Sequence, residues 1–220
     1  MSMTVCDVVI PCRDEAAALP LVLATVPPGW RVIVVDNGST DGTADVARSL
    51  GAHVISETRP GYGAAVHAGV LAAEATFVAV IDGDASMRLL DLVPMLDLVR
   101  EGAATMAIGR RRPVSRGVWP WHARAGTTLL AGLIRRRSDF PIHDLAPMRV
   151  CRRADLLALG IGDRRFGYPL ELMLKAAEAG WTVAEIDVAY QSRAAGTKSK
   201  VSGSLTGTAR VIRDFAGVLR

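Results

Sequence analysis

The stretch "VIVVDNGSTDGT", residues 32–43, decides the fold. Four apolar residues lead into Asp36, and turn-forming residues follow. A run of Val and Ile is typical of a strand buried on both faces of a parallel sheet, and ligands bind beyond the carboxyl ends of such strands. Asp36 stands at that end, and the turn after it can cap a helix that begins near Gly42. This stretch alone is equally compatible with a strand, a turn and a helix cap that bind nothing.

The chain on both sides of this stretch alternates short strand-like runs with helical patterns. Strands are predicted near residues 4–10, 31–35, 53–56, 77–81, 105–108 and 182–188, and helices near 15–25, 43–50, 64–75, 89–101, 153–159, 170–179 and from about Ser202. Such alternation is typical of βαβ units. We therefore predict an α/β fold with a Rossmann-like, mostly parallel sheet flanked by helices, formed by all 220 residues as a single domain.

Composition excludes several classes of protein. No apolar run reaches the roughly 18 residues of a membrane span, and the first residues lack the charged region of a secretory signal. The three cysteines, Cys6, Cys12 and Cys151, lack metal-ligand spacing and fit reduced thiols. We therefore expect a cytoplasmic protein, and we expect no nucleic-acid partner.

One basic region suggests an anionic partner. Residues 110–137 contain eight arginines and no carboxylate, although the net charge of the chain is only +4. Within this region "RGVWPWHARAGTTLLAGLIRRR" places Trp119, Trp121 and an apolar core between arginines, as in helices that lie in a lipid interface. The prediction is peripheral contact with the inner face of a membrane; the alternative is a core helix flanked by solvated arginines.

Two further strand ends carry acids. The first strand ends in "VVIPCRDE", where Pro11 is expected to close the strand and Asp14 and Glu15 to open a helix. The fourth ends in "VAVIDGDAS", in which Asp82 and Asp84 flank a glycine. Two carboxylates this close repel each other unless a cation lies between them. A hard divalent cation, Mg²⁺ or Mn²⁺, that also bridges substrate phosphates would remove that conflict.

The segment "RPGYGAAVHAG" places Gly61 and Gly63 before a helix. Glycine lets the chain pass close to a ligand and offer main-chain N–H groups to it. With the acids of the three strand ends, this segment predicts a pocket for a nucleotide diphosphate. By itself the segment is a weak signal, because its spacing matches neither the Walker loop nor the dinucleotide fingerprint.

The ordered set of motifs resembles the inverting GT-A glycosyltransferases of family 2, in particular the branch of polyprenyl-phosphate sugar synthases. The resemblance runs from about Val8 to Lys200 and includes, besides the segments above, "IGRR", "HDLAPMRVCRR", "GYPLELMLKAAEAGW" and "RAAGTKSK". It implies a nucleotide-sugar half over residues 1–109 and an acceptor half over residues 110–220. Two departures are the Asp-Gly-Asp in place of Asp-Ala-Asp, and "APMR" in place of Ser-Gly-Phe-Arg.

The resemblance also implies roles for residues. Pro11, Glu15 and Asp36 would contact the base and ribose, and Asn37, Gly61, Gly63 and Asp82 complete the predicted nucleotide-sugar site. The metal site would be Asp82, Asp84 and Ser86; the catalytic candidates are Asp84, Arg149 and Asp144; and the acceptor site would be Arg111, Arg193 and Lys198.

The acceptor is predicted from a missing base. Family members that glycosylate hydroxyls carry an acidic pair at the start of the helix that here reads "YPLELMLKAAEAGW", and the aligned aspartate position is Pro169. A hydroxyl needs a base, whereas a phosphate monoester with a second pKa of about 6 is already mostly dianionic at neutral pH. We therefore predict transfer of a sugar to a polyprenyl phosphate, with Asp144 or Glu171 as alternative bases.

Three other functions stay open at this point. A glycosyltransferase that acts on a hydroxyl of a soluble metabolite or glycan is the nearest. A sugar-phosphate nucleotidyltransferase would carry a glycine-rich basic loop after the first strand, but "PCRDEAAALP" contains no glycine. A non-catalytic nucleotide-binding module would leave the aspartate pair unexplained.

Overall fold

The computed structural model of the protein describes residues 4–138, 140–145 and 147–194. The helix predicted from about Ser202 lies outside the described residues, and so does Lys198.

One seven-stranded sheet organises the described chain, in the order β3-β2-β1-β4-β6-β5-β7. The strands are β1 (Cys6–Cys12), β2 (Trp30–Asp36), β3 (His53–Ser56), β4 (Phe77–Val80), β5 (Met106–Pro113), β6 (Arg149–Arg152) and β7 (Val183–Tyr190). Only β6 runs antiparallel to its neighbours β4 and β5, so the prediction of a mostly parallel sheet is confirmed. The sheet also runs through the predicted boundary at residue 109, because β5 crosses it.

Helices cover both faces of the sheet. They are α1 (Leu19–Leu23), α2 (Thr43–Ser49), α3 (Tyr62–Ala72), α4 (Leu92–Arg100), α5 (Trp121–Arg137), α6 (Arg153–Ala158) and α7 (Tyr168–Glu178), with a 3₁₀ turn at Leu89–Asp91. Strand β1 shows why both faces are needed: Val8 and Ile10 join the core under α1, α2 and α4, whereas Val9 joins the core under α3, α5 and α7. Alternate residues of a strand point to opposite faces, so a continuous apolar run requires helices on both.

The sequence prediction was wrong in three places. Pro11 does not close β1, which continues to Cys12. Alternate residues of β1 turn their main-chain polar groups towards the same neighbour, and those of Val9 and Pro11 face β4. Strand β4 ends at Val80, opposite Val9, and so does not reach Pro11. The missing N–H of Pro11 therefore breaks no hydrogen bond between the strands. The first helix begins at Leu19, not Glu15, because Asp14 adopts a left-handed conformation and a turn follows. Strand β6 was missed altogether.

An ion pair with a buried carboxylate fixes the opposite, amino-terminal end of the sheet. Asp7 is fully buried and accepts hydrogen bonds from Arg31 Nε at 2.7 Å and Nη2 at 2.9 Å. It also accepts from the N–H groups of Glu74 and Ala75, at 2.6 and 2.8 Å. Burial alone would raise the pKa of Asp7, but these hydrogen bonds hold it below its ordinary value. One carboxylate thus joins β1, β2 and the turn before β4.

Candidate active site

The carboxyl ends of β1, β2 and β4 meet at one edge of the sheet. Cys12 pairs with Asp36, and Asp82 follows β4 by two residues. The chain order reverses here, because β1 lies between β2 on one side and β4 on the other. This is the position at which α/β sheets open a crevice for ligands.

Hydrogen bonds between the loops after β1 and β2 fix the first wall of this crevice. Asp14 accepts from the N–H of Thr40 at 2.8 Å, and Asp41 accepts from the N–H of Ala16 at 3.0 Å. The N–H of Glu15 donates to the hydroxyl of Thr43 at 2.9 Å, which places the largely buried Glu15 beside the first turn of α2. The motif "NGSTDGT" therefore orders the acidic loop of β1.

Asn37 ties β2 to the next loop. Its amide Nδ2 donates to the carbonyls of Glu57 and Arg59 at 2.8 and 2.9 Å, and its Oδ1 accepts from the N–H of Gly61 at 2.9 Å. Asn37 thus has a structural role that the sequence did not indicate. Its contact with a nucleotide stays a prediction.

Gly61 and Gly63 let α3 approach the chain at Arg164 and Arg165. A Cβ on Gly61 would overlap the carbonyl oxygen of Arg164, and one on Gly63 would lie 2.7 Å from the Cβ of Tyr168. The N–H of Gly63 donates to the carbonyl of Arg165 at 3.0 Å. The close approach that these glycines allow is to the protein itself, and their contact with a ligand stays a prediction.

Asp82 and Asp84 lie at the centre of the edge. Burial and the adjacent Asp84 carboxylate raise the pKa of Asp82 well above its ordinary value, against the lowering effect of Arg193, Arg111 and Arg149. Two carboxylates this close together fit a hard divalent cation. Within the described residues no three His, Cys, Asp or Glu side chains cluster for a metal, so the remaining ligands would be Ser86, water and phosphate oxygens.

The glycine between these aspartates is explained by Cys12. A Cβ on Gly83 would lie 2.7 Å from Cys12 Sγ and 3.2 Å from Ile10 Cγ2. The buried sulfur of Cys12 is therefore too close to the position that the methyl group of an alanine would take in an Asp-Ala-Asp motif. The departure from the family pattern is explained by packing between β1 and the turn that follows β4.

Arg193 contacts the Asp-Gly-Asp motif. Its Nε is 2.7 Å from Asp84 Oδ2, so in this structure the residue predicted to bind an acceptor pairs with a predicted metal ligand. Acceptor contact by Arg193 stays a prediction.

Arg111 and Asp144 form a buried pair next to the motif. Arg111 Nε and Nη2 donate to Asp144 at 2.8 and 2.7 Å, and the N–H of Arg111 donates to it at 3.0 Å. The guanidinium also lies over the rings of Trp119 and Tyr190, 4.2 and 5.5 Å from their centroids. Both oxygens of Asp144 are thus engaged, which argues against its prediction as a base.

Arg149 is brought to the same place by β6. It pairs with Val80 at the end of β4 and with Ile108 of β5, and it is 3% exposed. Because β6 runs antiparallel, its first residue lies at the edge where the parallel strands end. Arg149 is thus a buried cation opposite Val80, the residue that lies two positions before Asp82.

Glu171, the other alternative base, accepts from the N–H groups of Gly162 and Asp163 at 2.8 and 2.6 Å and from Lys175 at 3.0 Å. Burial would raise the pKa of Glu171, but these donors hold it below its ordinary value. Glu171 orders the loop that receives Gly61 and Gly63.

Comparison with known proteins decides the family. The model of glycosyl transferase family 2 matches residues 7–157, which is more than half of the chain. The chain belongs to glycosyl transferase family 2. It is 56% identical to an uncharacterized glycosyltransferase of Mycobacterium tuberculosis over 96% of each chain. It is 31% identical to the dolichyl-phosphate hexose transferase of Haloferax volcanii, over 87% of this chain and 85% of that protein.

The fold of this family 2 glycosyltransferase is GT-A. It is similar to the crystal structure of glucosyl-3-phosphoglycerate synthase from Mycobacterium tuberculosis in complex with Mn²⁺, UDP and glucosyl-3-phosphoglycerate. The TM-score is 0.75 at 19% identity, over 98% of this chain and 78% of that one. None of the helices of the glycosyltransferase in its described part has the length and apolar character needed to cross a bilayer.

Sequence reasoning about the glycosyltransferase missed Tyr62. Its hydroxyl is buried and has no hydrogen-bond partner among the described residues, and burial raises the pKa of Tyr62 above its ordinary value. Arg149, Asp82 and Arg111 are among the groups that act on it electrostatically. The only available signal was its position between Gly61 and Gly63.

Proposed function

We propose that this glycosyltransferase moves a sugar, with inversion, from a nucleotide-diphosphate sugar to a polyprenyl phosphate, and that it needs Mg²⁺ or Mn²⁺. The observation that supports a phosphate acceptor over a hydroxyl acceptor is that Asp144 and Glu171 both already accept several hydrogen bonds. A carboxylate held in this way is a poor base, and a phosphate acceptor needs none.

The donor would bind across the edge formed by Glu15, Asp36 and Asp82. Asp82, Asp84 and Ser86 would hold the divalent cation, which supplies charge stabilisation to the leaving diphosphate. A phosphate oxygen of the acceptor would form its bond to the anomeric carbon as the bond from that carbon to the diphosphate breaks, so the configuration inverts.

The acceptor side would use arginines. Arg149 is buried beside the motif, and Arg111 is held in place by Asp144, Trp119 and Tyr190. A dianionic nucleophile must approach an anionic donor, and guanidinium groups that never lose their charge reduce that repulsion. Lys198 would belong to the same set.

Two comparisons support parts of the proposal. The Haloferax volcanii relative is named for a dolichyl-phosphate acceptor, and the solved synthase binds Mn²⁺ with UDP. The synthase, however, is solved with glucosyl-3-phosphoglycerate, a soluble product, so a soluble acceptor is the competing proposal. A cytoplasmic location at the inner membrane face follows from the lipid acceptor and belongs to this proposal.

The test is a transfer assay with UDP, GDP and dTDP sugars, Mg²⁺ or Mn²⁺, and two acceptors, a short polyprenyl phosphate and phosphoglyceric acid. We expect a glycosylated lipid phosphate, and we expect its formation to be lost in EDTA and in Asp84→Asn, with circular dichroism showing that the variant keeps its fold. Full activity in EDTA would contradict metal dependence. Transfer to phosphoglyceric acid alone would select the competing acceptor.

A further inference from the structure

The segment after β7 lies across the Asp-Gly-Asp motif. The N–H of Gln191 donates to the carbonyl of Ser86 at 2.9 Å, and its side-chain Nε2 donates to the carbonyl of Ala85 at 3.0 Å. The N–H of Ala194 donates to the carbonyl of Asp84 at 3.0 Å. These contacts hold Arg193 over the motif without using its guanidinium.

The guanidinium engages the carboxylate on which a metal would depend. Asp84 Oδ1 accepts from the N–H of Ser86 at 3.0 Å, and Oδ2 pairs with Arg193 Nε at 2.7 Å. The side chain of Asp84 is 7% exposed and that of Arg193 is 31% exposed, so solvent screens this pair less than it screens a surface pair. A divalent cation takes carboxylate oxygens at about 2.0–2.6 Å and would repel a guanidinium on the same oxygen.

We propose that Arg193 is the cation that neutralises Asp84 when no donor is bound, and that it couples metal binding to nucleotide binding. This inference rests on the metal site of the proposed function. Metal alone must displace Arg193 and leave it without an anion. A nucleotide diphosphate brings a replacement anion, so Arg193 can turn from Asp84 to the phosphates while the segment 191–194 keeps its other bonds.

The coupling has a measurable consequence. In the wild type a divalent cation binds weakly alone and tightly with the nucleotide, and by linkage each ligand raises the affinity of the other by the same factor. Removing the guanidinium frees Asp84 Oδ2. The affinity for the metal alone then rises, and the coupling factor falls.

The experiment is calorimetric titration of Mn²⁺ into the full-length protein, without nucleotide and with whichever of UDP, GDP or dTDP stabilises it in the presence of Mn²⁺. Wild type is compared with Arg193→Gln, with Arg193→Lys, which keeps the charge, and with Arg100→Gln. Arg100 pairs with Asp97 at 3.0 Å on α4 and provides a matched loss of an arginine ion pair. Circular dichroism checks that each variant is folded.

We expect Arg193→Gln to bind Mn²⁺ alone about tenfold more tightly or better, because a hydrogen bond between charged groups is of this strength. Arg193→Lys should lie between it and wild type, and Arg100→Gln should match wild type. Equal affinity for Mn²⁺ alone in all four proteins, or weaker binding in Arg193→Gln, would overturn this inference and leave the proposed function standing. If no protein binds Mn²⁺ even with a nucleotide, the metal-dependent function fails and the inference fails with it.

Discussion

Arg111 and Asp144 connect β5 to the loop before β6 through an ion pair in which both carboxylate oxygens accept, at 2.7 and 2.8 Å from Arg111 Nη2 and Nε. Their side chains are 14% and 3% exposed. Breaking a buried pair leaves one charge without a partner, which costs about 3–5 kcal/mol.

Asp144→Asn and Arg111→Gln should therefore each lower the free energy of unfolding by about 3–5 kcal/mol, measured by urea denaturation. The double variant should lose clearly less than the sum, because the two changes remove one interaction. Asp97→Asn, in an exposed pair with Arg100, serves as the control and should cost about 1 kcal/mol or less. Additive losses would show that the pair does not act as a unit.

Asp7 should give the protein a stability that depends on pH. Its pKa is below the ordinary value in the folded protein, whereas an unfolded aspartate titrates at about 3.9. The contribution of Asp7 is therefore complete above the unfolded pKa and is lost as pH falls through the lower, folded pKa.

We expect Asp7→Asn to lower the free energy of unfolding by about 1–3 kcal/mol at neutral pH, because hydrogen bonds to a charged acceptor are lost while Arg31 keeps its exposed pair with Glu74. The difference from wild type should shrink below about pH 4 in denaturation series. Asp45→Asn, in an exposed pair with Arg48, should show little difference at any pH. A difference that persists unchanged into acid would assign the effect to packing instead of charge.

Gly83 and Cys12 should behave as a coupled pair. An alanine at 83 would place its Cβ 2.7 Å from Cys12 Sγ, so Gly83→Ala should destabilise the fold by about 1–3 kcal/mol. Cys12→Ala removes the sulfur and leaves space, so the double variant should be more stable than the two single changes predict. Thermal unfolding of the four proteins measures this coupling. Independent effects would show that the sulfur does not exclude the methyl group.

The sequence predicted the parts of the site that lie along single strands. Asp36 and Asp82 end apolar runs, and the rule that parallel strands end at one edge was sufficient to group them. Strand β6 was not predictable, because "RVCR" is only four residues long with arginine at both ends. The roles of Arg193 and Cys12 were also hidden, since each depends on contact with the motif from a distant part of the chain.

The outer face of α5 should contact membranes. Ala131 and Ile134 are fully buried in the core that α5 shares with α7, whereas Trp121 is 80% and Leu129 is 67% exposed. Trp121, Ala125, Leu129 and Leu133 are spaced four residues apart and form an outward stripe, with Arg124, Arg135 and Arg136 beside it. A stripe of apolar residues bordered by arginines, with no carboxylate on the helix, is suited to the boundary of an anionic bilayer. The alternative from sequence, a core helix flanked by solvated arginines, is compatible with the buried Ala131 and Ile134, so membrane contact stays a prediction.

Co-sedimentation with vesicles that contain anionic lipid measures this contact. Wild type should bind at low salt and less as salt rises, because the attraction of the arginines is screened over about 10 Å at 0.1 M salt. Trp121→Ala with Leu129→Ser should reduce binding strongly, since the apolar stripe supplies the part of the affinity that salt does not screen. Leu71→Ser removes a leucine of α3 that is 55% exposed, and it should bind like wild type. Equal losses in both variants would mean that exposed apolar residues act without regard to position, and no binding by wild type at low salt would reject α5 as a membrane contact.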